Sequence, residues 1–191
     1  MIRLPIASIV CASTTSLLLF ASAVNAQTTQ PAQPAKAAQP TETVRLHAAD
    51  QTFINEGTQA VATQRDAARI ATSRSTDRAV KAFAEKVAAD NLQIADALRA
   101  ASPRGVDVPH NNPDTATLDS IKNLRGAEFD KAYIEQIALG GEQKTLSAFQ
   151  AEIASGRNEQ LKDAARKALP TIQAQYASAQ ELAKRKHLAA Q

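Results

Sequence analysis

Apolar positions across residues 78–101 fall on one helical face. Val80, Phe83, Val87, Asn91, Ile94 and Leu98 follow one another by three, four, four, three and four residues, the recurrence of a 3.6-residue turn. One amide, Asn91, interrupts an otherwise apolar seam. An earlier segment keeps the same period through Phe53, Gly57, Ala60, Gln64, Ala67 and Ala71, widened by Ile54, Val61 and Ala68. Thr76 or Asp77 offers the oxygen that caps the start of the next helix. A later segment alternates steps of four and three through Leu161, Ala165, Ala168, Ile172, Gln175, Ala179 and Leu182. Pro170 lies inside it and predicts a kink, because proline leaves the Arg166 carbonyl without its helical partner.

The remaining long segment is less regular. Phe129, Tyr133, Ile137, Gly141, Thr145, Phe149 and Ile153 step by four throughout, a drift of about 40° per step on a regular helix. Such a stripe either winds around the helix or crosses a perturbed ladder near Gly140 and Gly141. A short helix over Thr115 to Leu124 precedes it, after the loop RGVDVPHNNPD. Four long helical segments joined by short or moderate connections predict an all-α, antiparallel four-helix bundle, with a short extra helix before the third long one. No βαβ pattern, phosphate-binding glycine loop or alternating strand run competes with it.

Before the first periodic segment the pattern changes twice. The opening MIRLPIASIVCASTTSLLLFASAVNAQ has one basic residue, an apolar run strongest at Leu17 to Phe20, and small residues Val24 and Ala26, the arrangement of a secretory signal cleaved after Ala26. The run is interrupted by Ser and Thr and is short for a span of about 20 apolar residues, so a retained membrane anchor is the weaker reading. Lipidation at Cys11 is disfavoured by Val10 before it, and Cys11 leaves with the signal. Residues 27–46 are rich in Gln, Ala, Pro and Thr and read as a disordered tether. PAQPAK within it matches a Pro-rich ligand core, one match in a tract where chance matches are common. The bundle domain is then 47–191.

Removing the signal leaves 165 of 191 residues, enough for one domain, and no cysteine. An exported domain without disulfides depends on packing, metal or partners. Its 21 basic and 19 acidic residues interleave along the chain, which excludes a nucleic-acid footprint, and no second apolar run is long enough to span a bilayer. His47, His110 and His187 fall at a helix start, in a loop and near the C-terminus; Asp107 and His110 have ligand-like spacing but nothing obvious to complete a shell. No Cys-His or Ser-His-Asp arrangement can be drawn. Glu128, Glu135, Glu142, Glu152 and Glu159 alternate with Lys and Arg and read as solvated faces. Asp130 reads as a first-turn residue satisfying helix amides, and Lys184, Arg185, Lys186 and His187 as charge at a helix C-terminus.

The elements AxDxxF at Ala48 to Phe53, VKAFAEKVAAD at Val80 to Asp90, IxxLRGAEFDKAYIEQ at Ile121 to Gln136 and LKDAARKALP at Leu161 to Pro170 resemble domain of unknown function 4142, an exported bacterial family. The specific part is GxxFDxxY at Gly126, Phe129, Asp130 and Tyr133, with Leu169-Pro170 later. The resemblance implies a ferritin-like bundle and export, with the biochemical role unassigned. In the family pattern an acidic residue in the first helix and three histidines in the others fall where this chain has Gln64, Asn91, Gly141 and Gln175. Glutamate and histidine in a bundle core hold metals; amides and glycine supply neither imidazole nor the charge that offsets a buried cation's desolvation.

These four positions are the candidate inner polar cluster, with the Tyr133 and Tyr176 hydroxyls as network partners. The favoured reading is a hydrogen-bonded core network, ahead of a small polar pocket descended from a metal site. No cofactor is expected. The expectation is a periplasmic or, second, secreted protein of non-enzymatic envelope role, with an unidentified protein partner or a second copy of itself. The alternative is a metal-binding or redox ferritin-like protein of stress protection.

Overall fold

Three helices of this chain begin where side-chain oxygens meet free amides. In the computed structural model, which describes residues 46–188, Asp77 accepts from the amides of Ala79 and Val80 at 2.9 and 3.1 Å and starts α3 (Arg78–Ala100). Asn158 does the same for α7 (Glu159–Arg185) through the Leu161 amide, and Asp114 for the short α4 (Thr115–Lys122). The expected signal, the tether up to residue 45 and the last three residues lie outside the described residues.

Two of the long rods are not pure α-helix. The first starts as α1 (Ala48–Thr52), passes through a π-helical turn at Phe53–Gly57 and continues as α2 (Thr58–Arg74). Another begins as α5 (Gly126–Ala132), widens into π-helix over Tyr133–Gly141 and resumes as α6 (Glu142–Ser155). The irregular four-residue stripe therefore marks a perturbed ladder. A π turn holds more residues than an α turn, so steps of four keep their face there. Gly126, at φ +56°, sets the break before α5, and no side chain caps that helix. Asp130 is its fifth residue and lies past the free amides; among the described residues its Oδ1 has no hydrogen-bond partner. The first-turn role expected for Asp130 is thus not what it performs. α7 runs through Pro170 as one helix.

The rods pack as an all-helical bundle: α2 lies along α3, α6 along α7, α3 also meets α7, and the π stretch touches both α2 and α7. Among the described residues no helix is long and apolar enough to cross a membrane. The loop before α4 is fastened by the buried Arg65, which donates to the His110 carbonyl at 3.2 Å and to Asn111 Oδ1 at 2.6 Å. His110 itself faces Asp96 at 3.2 Å while Asp107 is exposed, so this pair does not share a site. At the far end Lys186 pairs with Asp77, tying the C-terminal end of α7 to the cap of α3.

Apolar packing forms two separate clusters. One gathers Ala67, Ala71, Val80, Val87, Phe129, Ile134, Ile137, Ala179 and Leu182; the other gathers Phe53, Ile54, Val61, Ile94, Leu98, Phe149, Leu161 and Ile172. Phe53 and Phe149 meet edge to face at 5.0 Å in the second. The Lys186 bond, and then the capped amides of Val80 and Ala79, hold the Asp77 carboxyl below the usual carboxylate range. Asp77→Ala is therefore expected to lower stability by about 1 to 2 kcal/mol, read as a lower urea midpoint with unchanged slope.

Candidate functional site

Between the two apolar clusters lies a polar layer. In α2 the clusters are separated at Gln64, between Val61 and Ala67; in α3 at Asn91, between Val87 and Ile94; in α7 at Gln175, between Ile172 and Ala179. The third rod crosses the same gap between Leu139 and Phe149, and there it presents Glu142 and Thr145. Gln64, Asn91 and Gln175 are all inward as their periodicity requires, at 2, 0 and 2% exposure, and Glu142 is 0% exposed.

Glu142 corrects the expectation of a solvated face, and Glu152 does so as well, at 1% exposed. Glu128 and Glu159 are exposed as expected, and Glu135 is half-buried. The π stretch explains the error. An extra residue in the turn moves the inward register on by one, so the buried face of α6 is Glu142, Thr145, Phe149 and Glu152. These residues follow one another by three, four and three, in place of the four-residue stripe from Gly141 to Ile153.

Gly141 takes part through what it lacks. A Cβ there would stand 2.1 Å from Gln64 Nε2, so the Gln64 amide occupies the volume that a side chain at position 141 would claim. From that place Gln64 Nε2 donates to the Ile137 carbonyl at 2.9 Å, inside the π stretch. Gln175 Nε2 reaches Asp90 Oδ2 at 3.3 Å, and Asp90 also holds Lys86 at 2.6 Å. These bonds do not close a network. Among the described residues, Gln64 Oε1, both polar atoms of Asn91, both oxygens of Glu142, Gln175 Oε1 and the Tyr133 hydroxyl have no hydrogen-bond partner. Tyr133 is fully buried and close enough to Glu142 for the two to interact electrostatically. Tyr176 is half-buried against the first apolar cluster and makes no hydrogen bond to the layer among the described residues.

Electrostatics follow from burial. Loss of solvent, reinforced by Asp90, pushes the Glu142 carboxyl up to about 8. Burial, then Glu142, raises the Tyr133 phenol above its usual value. A second acid pair sits at the other end of the rod. Asp50 Oδ1 accepts from the amides of Arg157 and Asn158 at 2.8 and 3.0 Å, fastening the α6–α7 turn to α1. Glu152 packs beside it, where burial and then Asp50 raise its carboxyl to about 7, against the pull of Lys162. Gly156 makes room for it, since a Cβ there would lie 2.4 Å from Glu152 Oε1.

The donor set decides what the layer can hold. It contains one carboxylate, three amides and a phenol, with no imidazole or thiolate, and no group of three or more His, Cys, Asp and Glu side chains among the described residues is placed to share a metal ion. A histidine-ligated transition metal of the kind the resemblance implies does not fit these residues. An open groove of about 1200 Å³ runs beside the layer between α2, α4 and the third rod, with Thr63, Gln64, Asp114, Gln136, Gly140 and Lys144 on its walls.

Fold and site together define an all-helical bundle protein whose core is divided by a polar layer. The chain belongs to the family described as a domain of unknown function, DUF4142, whose sequence profile matches residues 31–182. No curated protein and no solved structure matches the chain.

Two outcomes test the layer. In chelator, Asn91→Leu is expected to be neutral or stabilising, because it removes two unpartnered polar atoms, whereas Asn91→Asp adds a second buried acid and lowers stability by about 3 kcal/mol at neutral pH. Equal, negligible effects on the urea midpoint would place Asn91 outside the core. The pH dependence has a definite sign. A buried acid keeps its proton when the unfolded chain has lost it, so stability declines as pH rises from about 4.5 and levels off above about 8, where native Glu142 also ionises. Glu142→Gln should flatten the upper part of that decline, measured by urea unfolding across the range.

Proposed function

We propose that this protein is an exported helical-bundle protein of the cell envelope that works by interaction rather than by catalysis. The observation that carries this reading is the burial of its chemistry: Glu142 and Asn91 are 0% exposed, so the acid of the layer is not presented to a substrate at the surface. The groove beside α4 is open and mixed in character, with Thr63, Asp114, Gln136 and Lys144 set among largely apolar walls, a surface that offers a partner both apolar contact and hydrogen bonds. The signal-like opening of the chain supports export, to the periplasm first and the medium second.

A second reading, a metal-binding or redox ferritin-like protein of stress protection, is favoured by one observation, the acid in the polar layer. Elemental mass spectrometry on protein purified from cells separates the two. Transition metals at background are expected; one equivalent of iron, manganese or zinc would favour the second reading. Export is tested by fractionating cells that express the full chain and mapping its N-terminus. Gln27 as the first residue of periplasmic protein is expected, and a chain retaining Met1 in the cytoplasm would contradict the proposal.

A further inference from the structure

The unpartnered atoms of the polar layer are unequal in kind. The Gln64 and Gln175 nitrogens are committed to the Ile137 carbonyl and to Asp90, which fixes their oxygens as the free ends. Glu142 adds two more oxygens and Asn91 one, against a single free amide nitrogen and one phenolic hydroxyl. Acceptors thus outnumber donors in a space bounded above and below by apolar side chains. Water can bridge a few such groups, but each molecule brings only two protons and leaves the charge of an ionised Glu142 uncompensated. Where Glu142 is ionised, the occupant that satisfies this set is electropositive.

The charge and the donor type narrow it further. Glu142 is the carboxylate inside the layer, and Asp90 stands at its edge, linked through Gln175 and near enough to act on Glu142 electrostatically. The cation paired with Asp90 among the described residues, Lys86, is largely exposed. Two carboxylates and neutral oxygens from four helical rods, without nitrogen or sulfur ligands, suit a hard ion that accepts six to eight oxygens in adaptable geometry. We propose that the polar layer binds one divalent cation of the calcium class, held by oxygens of Gln64, Asn91, Glu142 and Gln175, with Asp90 completing the charge. Glu142 supplies the negative charge that the amides at the neighbouring positions lack. This inference stands independently of export and of the interaction role.

The test uses the full chain, stripped with EDTA and dialysed, and melted at pH 8 in EDTA or in rising CaCl2. The melting temperature is expected to climb with calcium concentration, by at least about 5 °C at a hundredfold excess over Kd, and titration calorimetry to fit one site. Glu142→Gln should melt cooperatively in EDTA yet lose the shift. Asn91→Asp, which adds a carboxylate to the same layer, should enlarge it. Glu128→Gln, an exposed acid on the same rod, should leave it unchanged. An unshifted wild-type protein, the same shift in Glu142→Gln, or an equal or larger shift from NaCl or ZnCl2 would overturn the proposal.

Discussion

The structure depends on a conflict between burial and charge at Glu142. Taking a carboxyl out of water is costly unless it is protonated, paired or bound to a cation, and this one sits between two apolar clusters with no donor on either oxygen. Everything at its level is organised around polar groups: Gln64 folded over Gly141, Asn91 on the α3 seam, Gln175 turned to Asp90, and the Tyr133 hydroxyl beside it. A layer of this kind restricts how the helices can slide, because a shift of one turn would set amides and acid against leucines and isoleucines. Register is therefore held by polar matching at the centre and by apolar packing on either side.

The π stretch makes the layer possible. Over Tyr133–Gly141 the wider turn moves the inward face from Ile137 to Glu142 and opens a carbonyl, that of Ile137, to the Gln64 amide. Gly141, which ends it, leaves the space Gln64 enters. The second acid pair serves a different end. Asp50 captures the amides of the α6–α7 turn, and Glu152 lies against it with Gly156 yielding the room, so one acid pair stabilises a joint while Glu142 divides a core.

Much of this was legible in the sequence because α-helical periodicity is strict. Asn91, Gln64 and Gln175 could be placed on inner faces from their spacing alone, Asp77 was readable as a cap, and the residues from Gly126 to Tyr133 carried the family. The part that escaped depends on a change of helical pitch. A four-residue stripe warned of irregularity near Gly140 and Gly141, but it did not say which residues would face inward beyond them, and surrounding lysines and arginines made Glu142 and Glu152 resemble a wetted surface. Asp130 differs for a separate reason: with Arg125 at the cap position and Gly126 the first helical residue, it is the fifth residue of α5 and lies past the free amides.

The central claim is that Glu142 is a buried acid inside a polar layer. Carbon-13 NMR of the glutamate side-chain carboxyls, titrated on metal-free protein, reads this directly. The account predicts one carboxyl, lost in Glu142→Gln, that titrates near 8 rather than at the ordinary 4.5. If the Glu142 resonance instead titrates with the exposed glutamates, the side chain faces solvent and the layer described here does not exist.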